Sequence, residues 1–367
     1  MTQPSAPSAN NALFLTPEAP VTGWGGGGLR SASLLEYLKR RYRVEIASFT
    51  LPHHSKGFAA RAWRNGWRFL RGAPPLLDRF AGFESQLHPF LRGRRYSVAV
   101  VEHFWCAPYA RTLRPHCGRL VLDLHNIESE LARTHALAAG GAQRILMSRF
   151  AQSYLRLERR WIPQYDLILV TSEQDRARVD HPNVCVYPNA LPEIPMPQVD
   201  EQDFIVFSGN LEYHPNVQAV RWFRGEIWPR LREYTEWRLV GRNPEAIAKI
   251  VAGDDRIKVI GPVEDAVSEI ARAKVCVVPL RSGSGTRFKI LESWAAGRAV
   301  VSTSLGAEGL GANKGEHLLI ADDAAAFASA IIELLNNPVL RRRLGESGRR
   351  RYSDHFTWQR AWAQLPF

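Results

Sequence analysis

Short apolar runs alternate with longer amphipathic stretches along nearly the whole chain, and the alternation restarts midway. ALFLT (12–16), RVEIASF (43–49), YSVAVVEHF (96–104), RLVLDLHN (119–126) and YDLILVTS (165–172) are the strand candidates of the first series. DFIVFSGN (203–210), EWRLVGRNP (236–244), RIKVIGPV (256–263), AKVCVVPL (273–280) and RAVVSTS (298–304) form the second. Helical patterns fall between and after them, from Leu29 to about Arg41, over Val217–Tyr234 and over 324–336. Strands separated by helix-length segments build βα units, and βα units build parallel sheets. At 367 residues the chain also exceeds what one ordinary core serves. The expected fold is therefore α/β, with two doubly wound Rossmann-like domains facing each other across a cleft. The proline-rich stretch NVCVYPNALPEIPMP (183–197) has no helical period and reads as a connector. It divides the chain into 1–190 and 191–352, and the aromatic segment 353–367 is expected to dock onto another part of the chain.

Composition narrows the class. Hydrophobic residues make up 45% and charged residues 23%, which describes a globular protein. No run approaches the roughly 18 apolar residues of a membrane-spanning helix, and ALFL is shorter than the roughly 7–15 residues of a signal peptide's apolar region. Cys106, Cys117, Cys185 and Cys276 are scattered without C-x-x-C pairing, as expected of reduced thiols in a cytoplasmic protein. The net charge of +12 is uneven, with 25 Lys and Arg against 14 Asp and Glu in residues 1–190, but 23 against 22 in residues 191–367. Such a sided field suits an anionic partner, and it equally serves plain solubility.

The segment GSGTRFKILESWAAG (283–297) follows directly on an apolar run, where ligands of open α/β sheets meet loops leading into helix N-termini. Gly283, Ser284, Gly285 and Thr286 would let backbone amides approach an anion, with Thr286 as the helix N-cap. Arg287 and Lys289 would neutralise it. Glu292 shares a helix face with Lys289 about 4–5 Å further along the axis, an offset that suits a cation on phosphate and a carboxylate on a ribose diol. Alone, the segment reads as readily as a glycine-rich turn followed by a surface Lys–Glu pair. It is not a P-loop, because no G-K-[ST] closes it.

The stretch GSGTRFKILESWAAGRAVVSTSLGAEGL (283–310) resembles the donor-site segment of GT-B glycosyltransferases of the retaining family-4 type. GWGGGGLRSASLLEYLKRRYRVEIASF, VYPNALP, SGNLEYHPN, LVGRNP and VIGPVED resemble successive pieces of the same enzymes. FTWQRAWAQL resembles their terminal helix, which implies that 353–367 packs back on the first domain. The chain is most similar to bacterial sugar transferases of exopolysaccharide assembly. The resemblance implies that Glu292 binds the ribose, and that Arg287 and Lys289 act on the diphosphate. It further implies that Gly26, Gly27 and Gly28 approach the donor phosphate or acceptor. Gly209, Asn210, Gly241, Arg242 and Val263 would line the donor pocket, and His125 would stand near the reacting sugar. Two departures stand out. Ser284 occupies the position of a second family glutamate, and GNLEYHPN lacks the Arg and Lys that the family's loop usually offers.

The expected reaction is transfer of a hexose-type sugar from a nucleotide diphosphate sugar to a lipid-linked or saccharide acceptor, with retention implied by the resemblance. Fixed cations and amides would stabilise the departing diphosphate. No D-x-D triplet and no His/Cys cluster with ligand spacing occurs, so neither metal nor cofactor is expected. HHSKGFAARAWRNGWRFLRGAPPLLDRF (53–80) interleaves Arg61, Arg64 and Arg68 with Trp67. That pattern suits a helix on an anionic membrane surface meeting a lipid-linked acceptor, and also a helix packed in the first domain with a solvated basic side. Another sugar-nucleotide enzyme on the same fold, such as an epimerase, is the nearest rival. Nucleic acid is not an expected partner, since no helix-turn-helix, RRM or zinc module accompanies the basic charge.

Overall fold

The computed structural model describes residues 10–17, 25–51, 63, 66–68, 70–138, 140–231, 233–283 and 287–367. Arg61, Arg64, Ser284, Gly285 and Thr286 lie outside the described residues. The chain forms two compact units, Met1–Tyr187 with Gln364–Phe367, and Pro188–Ala363. The helix Trp358–Trp362 thus belongs to the second unit. Only the last four residues return to the first, where Phe367 accepts a hydrogen bond from the Tyr37 hydroxyl and sits 5.6 Å over-ring from Arg119.

The first unit is built on β1 (Asn11–Thr16), β2 (Arg43–Ser48), β3 (Tyr96–Glu102), β4 (Cys117–Asp123), β5 (Leu167–Val170) and β6 (Val184–Val186). All pairings are parallel and the order is β2-β1-β3-β4-β5-β6. The second contains β7 (Gln202–Ser208), β8 (Glu236–Val240), β9 (Ile257–Ile260), β10 (Ala273–Val278), β11 (Ala299–Ser302) and β12 (Leu319–Ile320), in the order β12-β11-β10-β7-β8-β9. Strand order reverses between β1 and β3 in one sheet and between β7 and β10 in the other. These are the switch points where open parallel sheets take ligands, at the carboxyl ends of the strands. The central strands are apolar on both faces, and Ile205, Val275 and Val300 are fully buried, because helices cover each sheet from either side.

Four readings are corrected. The first helix is Gly25–Lys39, so Gly26, Gly27 and Gly28 form its opening turn and not a loop before it. Val184–Val186 lies inside the expected connector yet closes the first sheet as an edge strand, too short for any period to show. The helix after β7 runs His214–Trp222, with Pro215 in its first turn; it gives way to a wide turn over Phe223–Ile227 and a tight one over Trp228–Arg230. Pro229 has no N–H to continue the expected helix to Tyr234. The helix Phe288–Ala295 takes Arg287 as its N-cap, in extended backbone, and not Thr286. The helices Glu128–Ala138 and Gly141–Trp161 were not anticipated.

Two buried contacts hold these parts in place. In the first unit, Arg30 of the opening helix is 1% exposed and Asp123 at the end of β4 is fully buried. The guanidinium donates to both carboxylate oxygens, Nε at 3.1 and 2.9 Å and Nη2 at 2.5 Å, and Nη1 donates to the Tyr187 carbonyl at 2.6 Å. In the second unit, the basic run 341–351 belongs to the helix Pro338–His355, whose Gly345 and Gly348 allow it to lie flush against its neighbours. A Cβ at Gly345 would stand 2.2 Å from the Gly297 carbonyl, and one at Gly348 would stand 2.2 Å from Cδ1 of buried Trp294.

Gly345→Ala and Gly348→Ala should each lower the thermal midpoint, since overpacking costs about 1–3 kcal/mol and outweighs the roughly 1 kcal/mol of helix propensity gained. Gly345→Ala should cost more, because its obstacle is backbone; an unchanged midpoint for both would contradict the packing. Asp123→Asn or Arg30→Met alone should cost about 3–5 kcal/mol in urea unfolding, by stranding a buried charge. The double variant should lose less than the sum of the two.

Candidate functional site

The second unit gathers most of the predicted donor residues at its switch point. β7 ends at Ser208, and Gly209 follows with φ +141. Gly241 follows β8 with φ +151, and a Cβ there would stand 1.8 Å from the Gly209 carbonyl. Only glycine satisfies both the positive φ and the contact. The two loops are tied further, since Leu211 N–H donates to the Arg242 carbonyl at 2.9 Å and Asn243 Nδ2 donates to Asn210 Oδ1 at 2.9 Å. Val263 lies three residues beyond β9, the edge strand, whose last residue Ile260 accepts from Gly241 N–H at 3.2 Å.

Lys289 and Glu292 are half-buried and not the surface pair that the sequence also allowed. Lys289 Nζ donates to Asn216 Oδ1 at 2.8 Å and lies 5.0 Å from the Phe207 ring centroid. A Cβ on Gly209 would stand 3.3 Å from that Nζ, so the glycine keeps space open beside the ammonium. Asn216 Nδ2 donates in turn to the Asn210 carbonyl at 2.7 Å. The Ser208 hydroxyl stands 3.5 Å from Glu292 Oε2. Burial raises the Glu292 carboxyl to about 7 against the pull of Lys289 and Ser208. Burial lowers the Lys289 ammonium to about 8, with Glu292 opposing. The Arg287 guanidinium folds over Gly283, its Nη2 at 3.1 Å from where a Cβ would be. Gly209, Asn210, Gly241, Lys289 and Glu292 thus share one neighbourhood. Asn216 and Ser208 join it without having been singled out, although Asn216 ends the GNLEYHPN loop already noted as lacking cations.

In the first unit, the Gly26–Gly28 turn opens the helix that follows β1, on the carboxyl side of the sheet. His125 follows β4 and is 8% exposed. Its Nε2 lies 3.2 Å from Asp123 Oδ2 and 3.4 Å from Glu102 Oε1. Burial pushes the imidazole down, but the two carboxylates outweigh it and hold its pKa above the ordinary value. Burial alone would raise the Asp123 carboxyl; Arg30 and His125 reverse that and hold it low. His103, with φ 63, stacks on Trp105 at 4.3 Å and meets the His125 ring at a tilt with centroids 3.7 Å apart, and burial beside His125 keeps it neutral. A non-glycine residue held there stores strain of the sort that gathers at functional sites. Trp105 Nε1 donates to Glu128 at 3.0 Å, and burial together with Glu158 pushes the Glu128 carboxyl up to about 8.

Sequence reasoning found His125 and missed Arg30, Glu102, His103 and Asp123. The signal was present as charged residues closing otherwise apolar strands. Ligand atoms of Glu102, Asp123 and His125 lie within 4.8 Å of one another, a spacing that could hold a metal ion. Both Asp123 oxygens already accept from Arg30, so a divalent cation would compete with a guanidinium in place. Of the expected membrane residues, Arg68 donates to Asp78 at 2.8 Å and is 16% exposed, while Trp67 is 46% exposed beneath Arg71. No described helix is long and apolar enough to cross a membrane.

Residues 202–337 match the family described as Glycosyl transferases group 1. The chain is 29% identical over 144 residues to an uncharacterized 44.6 kDa protein in the cps region of Klebsiella pneumoniae, covering 36% of this chain and 37% of that one. It is 36% identical over 116 residues to the phosphatidyl-myo-inositol mannosyltransferase of Mycobacterium leprae (strain TN), covering 30% and 31%. The aligned part spans only 37% and 31% of these curated relatives. Sucrose-phosphate synthase of Thermosynechococcus elongatus superposes with a TM-score of 0.76 over 97% of both chains at 17% identity. With two parallel Rossmann-like sheets and such neighbours, the chain has the GT-B fold, and its residues 202–337 are similar to the glycosyl transferases group 1 family.

Proposed function

We propose that the protein is a glycosyltransferase that takes a hexose-type sugar from a nucleotide diphosphate sugar, with retention, and adds it to a lipid-linked or saccharide acceptor in the synthesis of a cell-surface polysaccharide. One observation carries the reading: a half-buried ammonium, a half-buried carboxylate and two facing glycines share the switch point of the unit that matches the group 1 family. Lys289, aimed by Asn216 across the open side of Gly209, is placed to neutralise a diphosphate. Glu292, one helical turn deeper, offers its carboxylate to a ribose diol. Withdrawn from water, both charges act more strongly on a bound anion or hydroxyl than surface residues would. Arg287 adds a second cation beside Gly283. The cps-region relative supports the polysaccharide role, and the mannosyltransferase relative supports a hexose. His125 is proposed to act on the sugar, its charge set by Asp123 and Glu102. We further propose that no metal takes part, the cationic work falling to Lys289, Arg287 and the helix end. Peripheral attachment to the cytoplasmic face of a membrane belongs to the same proposal, with Trp63 and Trp67 as its exposed aromatics.

In a thermal-shift panel of nucleoside diphosphates without magnesium, one base should stabilise the protein strongly, because a ligand of the native state raises its apparent stability. Glu292→Ala should remove most of that shift. No shift from any nucleotide, or one that needs magnesium, would overturn the reading. The pH dependence has a definite sign. A carboxyl raised to about 7 becomes a ribose acceptor only as pH rises through that value, and an ammonium lowered to about 8 loses its charge above it. Nucleoside diphosphate affinity measured by calorimetry should therefore peak between those values, and Glu292→Gln should flatten the acidic limb. Without ligand, the raised Glu292 value means stability falls as pH climbs from the unfolded carboxyl range through about 7, so Glu292→Gln should stabilise the free protein at alkaline pH.

A further inference from the structure

The first unit holds a cavity between two of its helices. The helices Glu128–Ala138 and Gly141–Trp161 pack side by side, and a groove of about 500 Å³ opens between them, within the range of small-ligand sites. Ile127, Leu137 and Leu155 give it an apolar lining. Leu137 is 61% exposed and Leu155 42% exposed, an arrangement that favours an apolar occupant. Arg133, Arg144 and Arg178 also line it. Glu130 takes Arg133 through bonds of 2.7 and 2.6 Å and stands 3.8 Å from Arg178, which also reaches Asp175 at 3.4 Å. Arg144 is exposed and has no carboxylate within ion-pair distance among the described residues. Three guanidinium groups thus face a single lining carboxylate around an apolar floor.

That combination complements a molecule with a hydrocarbon tail and an anionic head. An acyl chain or isoprenoid would cover the leucines, and the head would meet a cation that the fold leaves unneutralised. The groove also begins at Ile127, two residues beyond His125 on the same connection from β4. Arg144 stands at the other end of the groove, one turn into the second helix, because Glu158 near that helix's close bonds Ser129 beside Ile127.

We propose that this groove binds a single-chain lipid phosphate, the anionic end of the acceptor. Its role as acceptor rests on the glycosyltransferase reading; the binding itself does not. The test is calorimetric titration of the full chain with farnesyl phosphate below its aggregation concentration, with farnesol and inorganic phosphate as separate arms. Farnesyl phosphate should bind at one site per chain, farnesol about ten-fold or more weaker, and inorganic phosphate not measurably. Arg144→Ala should weaken farnesyl phosphate about ten-fold, and Leu155→Asp should abolish it. Both positions are exposed, so the thermal midpoint and the nucleoside diphosphate shift should stay as in the unsubstituted protein. Absence of farnesyl phosphate binding, or binding that survives Leu155→Asp, would overturn the proposal. So would a dimer that Leu155→Asp splits, which would make the groove a contact between copies. Nucleotide binding without amphiphile binding would sink the groove alone; amphiphile binding without nucleotide binding would sink the transferase reading and leave the groove.

Discussion

Each sheet carries charge that the fold has taken out of water at the carboxyl ends of its strands, and the arrangement of both units follows from keeping that charge compensated. Removing an ion from water costs several kcal/mol unless a partner and hydrogen bonds replace the lost solvent. In the first unit the compensation is close to complete at Asp123, which receives Arg30 through two nitrogens and His125 from the other side. This pairing fixes more than stability. It seats the Gly25–Lys39 helix over the ends of β1 and β4, and through the Tyr187 carbonyl it ties in the residue that follows β6. In the second unit compensation is partial. Lys289 and Glu292 oppose each other's shifts yet remain displaced from their solution behaviour, each toward neutrality. A charge pair left short of full compensation is one that an incoming anion and diol can still improve.

Glycine placement follows the same logic from the side of space. Gly209 and Gly241 bring two loops into backbone contact and keep the volume beside Lys289 free of a side chain. Gly345 and Gly348 perform the opposite task, closing space so that one helix can press on Trp294 and on the turn at Gly297. The helix Phe288–Ala295, which carries Lys289 and Glu292, is therefore packed closely from behind while Gly209 leaves space beside Lys289. Rigid support behind an open face is what lets buried charges act without first being reorganised.

Much of this was legible in the sequence. The apolar runs marked most strands, because parallel strands covered on both faces leave little room for polar residues. GSGTRFKILESWAAG was placed at a strand end leading into a helix, where Lys289 and Glu292 lie. The failures have physical causes. Val184–Val186 is too short for periodicity, and a proline at position 229 ended a helix that propensity carried onward. The cluster of Arg30, Glu102, Asp123 and His125 unites residues from three places in the chain, and no spacing rule links those places. Only the sheet order brings the ends of β3 and β4 together beside Arg30. Arg68, expected at a membrane surface, also donates to Asp78, ten residues further on, a pairing that the sequence spacing alone does not announce.

The uneven charge of the chain also acquires a structural meaning. The second unit, nearly neutral, confines its chemistry to a few buried groups at one switch point. The first unit carries the cationic excess, yet its buried cluster consumes little of it, since Arg30 and His125 are matched by Asp123 and Glu102. The surplus therefore lies on its surface helices, and Gly141–Trp161 alone bears Arg144, Arg149, Arg156, Arg159 and Arg160. Only part of that helix faces the core, through Phe150, Tyr154 and Trp161. A helix so cationic is a poor choice for solubility alone, where acidic residues serve better. It is well suited to a unit that must draw a negatively charged molecule to its surface, because steering depends on the field outside and not on the paired charges within.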